Sequence, residues 1–210
     1  MTWIDISQPL SASIAHWPGD TPFSYRLVAT KETTGSVNVG SIQMSAHTGT
    51  HVDAPFHFDD NGDRIDELPL STYIGDAYVI EAIGVKEISQ SLLEGIVPKN
   101  TKRLLVKTKT QTNEHIFPDT LPAVTPEAAA YLQTMGVILL GVDVPSVDEP
   151  TSKELAGHHA LAKSGIAILE NIQLAHVTSG YYELIALPLR LVGADGSPVR
   201  AVLRPIQSKE

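Results

Sequence analysis

One twelve-residue segment constrains this chain more than any other: His47-Thr48-Gly49-Thr50-His51-Val52-Asp53-Ala54-Pro55-Phe56-His57-Phe58. It sets three imidazoles and a carboxylate within eleven positions. These groups are the ligand set of zinc and its first-row neighbours. His47, His51, Asp53 and His57 are all odd-numbered, so a regular strand would turn them to one side. At about 3.3 Å per residue, however, such a strand would hold His47 and His57 roughly 33 Å apart. Ligands of one ion converge to about 2 Å from it. A single helix fails as well, because His51 and Asp53 are two apart and point away from each other. The segment must fold back on itself as a loop, with Gly49 permitting positive φ and Pro55 fixing a bend. A polar loop of solvated or capping histidines is the bland alternative. It suits any one histidine better than it suits the set of four with breakers between them.

Over the rest of the chain strands outnumber helices, and the two mix without a strict βαβ alternation. Strands are expected at Met1–Leu10, Phe23–Thr30, Ser36–Ala46, Tyr73–Ile83, Arg103–Lys109, Val137–Val142, Ile166–Leu169, Tyr181–Pro188 and Val199–Pro205. A short helix suits Ser89–Glu94. A second helix starts at Thr125-Pro126, an N-cap followed by proline at the first position, and runs through Ala128–Met135 to a stop at Gly136. A third is expected over Thr151–Lys163. Ser11–Phe23 and Asp59–Asp66 carry turn chemistry and read as loops. With no repeat, low-complexity tract or linker, residues 1–210 are expected to form one α/β domain around a substantial sheet or barrel.

A catalytic metal usually draws ligands from more than one segment. The second cluster is His158-His159, with Glu170 at the end of the apolar run Ile166–Leu169. On a helix the two histidines point in different directions, so one of them is expected to reach the site; spacing alone leaves open which. Glu170 reads either as a surface strand end or as a ligand on a rigid element. His176 is read as structural, and His16 and His115 as pocket-loop residues. Competing chemistries lack their motifs: there is no G-x-S-x-G elbow, no G-x-x-x-x-G-K-[ST], no G-x-G-x-x-G and no H-E-x-x-H. The absence of cysteine excludes thiolate zinc sites and cysteine nucleophiles. A net charge of −9 without a clustered basic face argues against a nucleic-acid partner. No apolar run approaches the roughly 20 residues of a membrane span, and the start Met1-Thr2-Trp3-Ile4 lacks a signal-peptide pattern, so a cytoplasmic location is expected.

The segment His47–Phe58 resembles the H-x-G-T-H-x-D-x-P-x-H-F signature of the metal-dependent cyclase-like hydrolase family. The resemblance covers essentially the whole chain, from Ile4-Asp5-Ile6-Ser7 to the last strands. Trp17-Pro18-Gly19-Asp20, Gly141–Asp148 and His158 through Glu170-Asn171 are similar to motifs of its bacterial kynurenine formamidase (arylformamidase) branch. The resemblance implies a swivelling β/β/α-type fold with a mixed β-sheet, a barrel-like core and flanking helices. It also implies a homodimer and one or two Zn²⁺ ions per subunit. His47, His51 and Asp53 would be ligands, with Asp53 able to bridge two ions. His158, chosen over His159 by the family's spacing to Glu170, and Glu170 itself would complete the set. Other divalent metals also suit such a site.

His57 would then be the general acid/base, and Trp17 would cover the substrate's aryl ring rather than serve as an ordinary core tryptophan. The expected reaction is hydrolysis of an aryl formamide, N-formyl-L-kynurenine, to L-kynurenine and formate by metal-activated water. A cyclic amide of the isatin type is the rival substrate. A non-catalytic zinc-stabilised binding protein is the rival class, with a closed four-ligand site.

Overall fold

Along the central strands of the protein, successive side chains go to opposite faces of one sheet, and both faces are covered. A computed structural model describes residues 2–109 and 113–206. In chain order its elements are β1 (Ile4–Asp5), β2 (Ser24–Ala29), α1 (Lys31–Thr34), β3 (Val39–Gln43), β4 (His51–Asp53), β5 (Ile74–Glu81), β6 (Glu87–Ile88), α2 (Gln90–Leu93), β7 (Arg103–Lys107), β8 (Ala123–Val124), α3 (Pro126–Met135), β9 (Leu139–Val142), α4 (Ala156–Lys163), β10 (Ala167–Glu170), β11 (Gly180–Ile185), β12 (Gly196–Pro198) and β13 (Val202–Pro205).

Nine of these strands form one mixed sheet in the order β1-β13-β11-β5-β7-β9-β10-β4-β12. The centre, β5-β7-β9-β10, is parallel, and the flanks are antiparallel. Ile80, Leu104, Val106, Leu140, Val142 and Ile168 face one core, which packs against α2, α3 and α4 through Leu93, Leu132 and Leu161. Their neighbours Val79, Leu105, Leu139 and Leu169 face the other. This second core also gathers Val52 from β4, Leu184 from β11 and Leu203 from β13. Residues from strands far apart in the order meet in one cluster, so the sheet curls around it. The expected α/β class, mixed sheet, barrel-like core and flanking helices are what the molecule shows. Parallel strands buried on both faces explain why β7 and β9 are continuous apolar runs rather than alternating ones.

Two local expectations need correction, and two elements lie where the sequence reading has none. The first strand pairs only at Ile4–Asp5, not over Met1–Leu10, and Met1 lies outside the described residues. The third helix begins at Ala156 rather than Thr151, because Leu155 sits in the left-handed region at φ 45° and cannot continue a right-handed turn. The chain between β2 and β3 holds α1, capped reciprocally by Thr30 and Thr33. Finally, β12 pairs with β4 although it contains glycine and proline. Proline is tolerated there because β12 is the edge of the sheet.

The ligand-rich segment folds back as expected, but around a core of regular structure. It enters through Gly49 at φ 69°, runs as β4 between β10 and β12, and leaves through a 3₁₀ turn at Pro55–His57. The expected loop therefore contains a three-residue strand at its middle, completely buried.

Candidate metal centre

Strand register builds the centre. On β4, Val52 points into the second core, so His51 and Asp53 point to the opposite face. His51 is the antiparallel partner of Glu170 on β10, and directly opposed residues hold their side chains about 5 Å apart on the same face. His51 Nε2 lies 3.3 Å from Glu170 Oε2 and 3.4 Å from Asp53 Oδ1. From α4, His158 Nε2 reaches to 3.6 Å from Asp53 Oδ2 and 3.9 Å from Glu170 Oε1. His47, on the incoming turn, sets Nδ1 at 2.9 Å from Asp53 Oδ1.

These atoms form two donor triads, His47-His51-Asp53 and Asp53-His158-Glu170, each within 4.8 Å, and Asp53 belongs to both. His159, on the same helix, is exposed and packs against Phe58 with ring centroids 5.5 Å apart, outside both triads.

Each of the three histidines has its remote nitrogen engaged. His51 Nδ1 donates to the Gly49 carbonyl at 2.9 Å. His158 Nδ1 donates to Asp148 at 2.6 Å, and His47 Nε2 donates to Asp195 at 3.0 Å. An outer carbonyl or carboxylate of this kind fixes the tautomer and aims the other nitrogen. Asp148 also accepts from the Gly157 and His158 amides, at 2.8 and 3.0 Å, so one carboxylate both caps α4 and orients its histidine. This is possible because position 157 is glycine: a Cβ there would lie 2.7 Å from the Val147 carbonyl oxygen.

The electrostatics are those of a cation site. Burial alone would lower the histidines, but the surrounding carboxylates raise them. Asp195 and Asp53 take His47 to about 9, Asp53 and Glu170 take His51 to about 10, and Asp148 and Asp53 take His158 to about 10. Against its own burial, Asp53 is held well below the usual carboxylate range by the imidazoles of His158, His47 and His51 around it, with His47 in hydrogen-bond contact at 2.9 Å. Glu170 moves up, through burial and the charge of Asp53. His57 differs: burial pushes it down, and its Nδ1 lies 3.6 Å from Asp195 Oδ2.

The donor set fits a divalent ion. Ligand atoms about 2 Å from a tetrahedral ion stand about 3.3 Å apart, a spacing that each triad approaches with three protein donors: Asp53 Oδ1 is 2.9 and 3.4 Å from His47 and His51, and His158 Nε2 is 3.6 and 3.9 Å from Asp53 and Glu170. Asp53 Oδ2 is buried and accepts no hydrogen bond, a cost that coordination would remove.

The centre opens into a cavity of about 320 Å³ lined by His47, His51, His57, His158 and Glu170, and closed on another side by Trp17. Trp17 packs edge-on against Phe117 at 5.1 Å between ring centroids. His16 lines the same cavity. His115 is exposed, with Nδ1 3.0 Å from the Ser13 carbonyl oxygen. His176 Nε2 is bound to the Asp5 carbonyl oxygen at 3.1 Å.

Sequence reasoning did not find Asp195 or Asp148. Asp195 lies far along the chain, beside β12, and carries no ligand spacing. Asp148 ends the Gly141–Asp148 motif of the resemblance without a role assigned to it, and it is an acidic residue shortly before a helix whose own N-cap position, Leu155, offers no side-chain acceptor.

A buried histidine/carboxylate constellation with an unspent carboxylate oxygen, at the floor of an open cavity, defines a divalent-cation site built for chemistry rather than for bracing a fold. The chain belongs to the Cyclase family, whose model matches residues 4–149. It is 55% identical over 209 residues to the kynurenine formamidase of Bacillus cytotoxicus, covering 97% of this chain and 98% of that one. Its fold matches a predicted metal-dependent hydrolase from Bacillus stearothermophilus with TM-score 0.81 and 25% identity, covering 96% of this chain and 97% of that chain. It also matches isatin hydrolase A from Labrenzia aggregata, with TM-score 0.81 and 22% identity, covering 96% and 93% of the respective chains.

Proposed function

We propose that the protein is a metal-dependent kynurenine formamidase that hydrolyses N-formyl-L-kynurenine to L-kynurenine and formate, a step of tryptophan degradation. The observation that carries this reading is its full-length identity to the Bacillus cytotoxicus enzyme, and the geometry of the centre supplies matching chemistry. His47, His51 and Asp53 would hold one ion, and Asp53, His158 and Glu170 a second or an alternative position. Zn²⁺ is our choice of metal, since imidazole and carboxylate ligands in near-tetrahedral spacing suit it. When bound, such an ion polarises a carbonyl and lowers the pKa of water.

The chain's own residues do the rest. His57 stands beside the donor set, its ring centroid 3.9 Å from that of His47 and 6.1 Å from that of His158. Kept neutral by its half-buried position, it accepts a proton from the attacking water. It then returns that proton to the aryl nitrogen as the C–N bond breaks, so a neutral arylamine and formic acid leave, and the acid gives its proton to solvent as formate. Trp17 covers the aryl ring from the cavity wall.

We treat residues 1–210 as one hydrolase domain and place it in the cytoplasm, in keeping with its cysteine-free composition. We also assign it a homodimeric state. The β2–β3 hairpin supports this: Tyr25, Leu27 and Ile42 share one face and are 58%, 46% and 63% exposed, while Ser24, Arg26, Ser41 and Gln43 share the other. A two-stranded ribbon is marginal alone, and a second copy would cover its apolar face.

The substrate assignment is tested by assaying N-formyl-L-kynurenine and isatin side by side. The formamide should be turned over with the higher kcat/KM. Preference for isatin would transfer the protein to the cyclic-amide branch.

A further inference from the structure

The cavity above the metal centre is lined by one cationic side chain that the hydrolysis does not use. Lys109 lies just beyond the end of β7 and is half-buried. Among the described residues lining the cavity it is the one lysine or arginine. No described carboxylate comes within ion-pair distance of its ammonium. Asp143, whose negative charge it feels, is already occupied: it accepts from Thr108 Oγ1 at 2.5 Å, from the Thr108 amide at 2.9 Å and from the Lys109 amide at 3.1 Å. These three bonds fix the backbone at 108–109, which places the start of the lysine side chain.

An ammonium drawn out of water without a partner is costly, and a ligand anion removes that cost. Asp20, which accepts one bond from Ser45 Oγ at 2.9 Å, and Glu114, with Oε1 3.9 Å from His115 Nε2, line the same cavity and carry the opposite charge. A cavity of about 320 Å³ is at the small end for one bound ligand. His57 and Lys109 both line it, so one ligand filling the cavity has both side chains within its enclosure.

We propose that Lys109 is a specificity-determining residue that binds the α-carboxylate of the substrate's amino-acid tail, with Asp20 and Glu114 facing the α-ammonium. The proposal rests on the formamidase reading and deepens it. Recognition of a zwitterionic tail distinguishes this cavity from one made for a neutral cyclic amide.

The test compares N-formyl-L-kynurenine with 2-formamidoacetophenone, which keeps the aryl formamide and lacks the amino-acid tail. Wild type, Lys109→Met and Lys109→Arg are assayed on both. Loss of a charge-assisted bond predicts that Lys109→Met lowers the ratio of kcat/KM values, formylkynurenine over the neutral analogue, about tenfold or more. The change should lie in KM rather than kcat, and Lys109→Arg should retain most of the ratio. If Lys109→Met leaves that ratio at the wild-type value, the assignment of Lys109 is overturned while the formamidase reading stands. If the wild type hydrolyses neither formamide, both fall together.

Discussion

His57 differs from the other histidines of the centre in what surrounds it. His47, His51 and His158 each hold a carboxylate or carbonyl on one nitrogen and face a shared acid with the other. His57 has 34% of its side chain exposed, and the described approach of its ring to a carboxylate is the 3.6 Å from Nδ1 to Asp195. That setting suits the proton carrier proposed above, and His57 also stands with His47 and Asp195 in a third group of donor atoms lying within 4.8 Å of one another. His57→Ala is expected to keep the wild-type metal content while turnover falls about 100-fold or more, read by elemental analysis and steady-state kinetics on the same sample. Near-full activity would remove the acid/base assignment. The other three histidines predict a pH dependence of the metal-free protein. Their folded-state values of about 9 to 10 lie above the ordinary 6.5. Their protonation thus stabilises the metal-free fold fully below pH 6.5, and that contribution disappears as pH rises through 9 to 10. Thermal unfolding after metal removal should show Tm falling across this window, and a rising Tm would contradict the arrangement. The residues named from the sequence are the ones whose chemistry is local: four groups in one segment and a carboxylate at a strand end. Asp195 and Asp148 escape such reading because each acts through a histidine that only the fold brings near.

At the scale of elements, the centre depends on two structures with little local support. The strand β4 is three residues long, and α4 begins after a left-handed residue without a cap of its own. The first is held by pairing on both sides, the second by Asp148. Gly157→Ala tests the second. Its Cβ would meet the Val147 carbonyl oxygen and Asp148 Oδ1, at 2.7 and 3.1 Å, so α4 must move away from the carboxylate that caps it. A destabilisation of about 1–3 kcal/mol is expected in denaturant unfolding, together with weaker metal retention as His158 loses its anchor. A variant as stable as wild type would show that Asp148 does not hold the helix. Central strands such as β7 and β9 are legible because apolar runs report burial on both faces. Thr151–Lys163 was over-extended because Thr, Lys and Glu are compatible with helix, and nothing in their pattern announces the turn at Leu155. The strand β12 was hidden by its Gly and Pro, which read as breakers unless the strand is known to lie at an edge.

At the scale of the whole molecule, the curled sheet brings the two halves of the ligand set together: β4 from the first quarter of the chain and β10 with α4 from the last third. The fold class could be read from the mixture of strands with fewer helices, whereas the sheet order could not, because β4 inserts beside β10 across a long stretch of chain. The apolar face of the β2–β3 hairpin is the other large-scale feature. With the homodimer seated there, Ile42→Glu should shift the protein toward monomer in sedimentation velocity, and an unchanged sedimentation coefficient would place the interface elsewhere. The account as a whole claims that the histidine/carboxylate centre holds a divalent ion that formylkynurenine hydrolysis requires. Its most direct test is to strip the purified protein with a chelator, titrate Zn²⁺ back, and follow kynurenine and formate release against bound metal. The prediction is that hydrolysis disappears in the metal-free protein and returns in proportion to the ion bound. Full hydrolysis by metal-free protein, or none after the site is refilled, would contradict it.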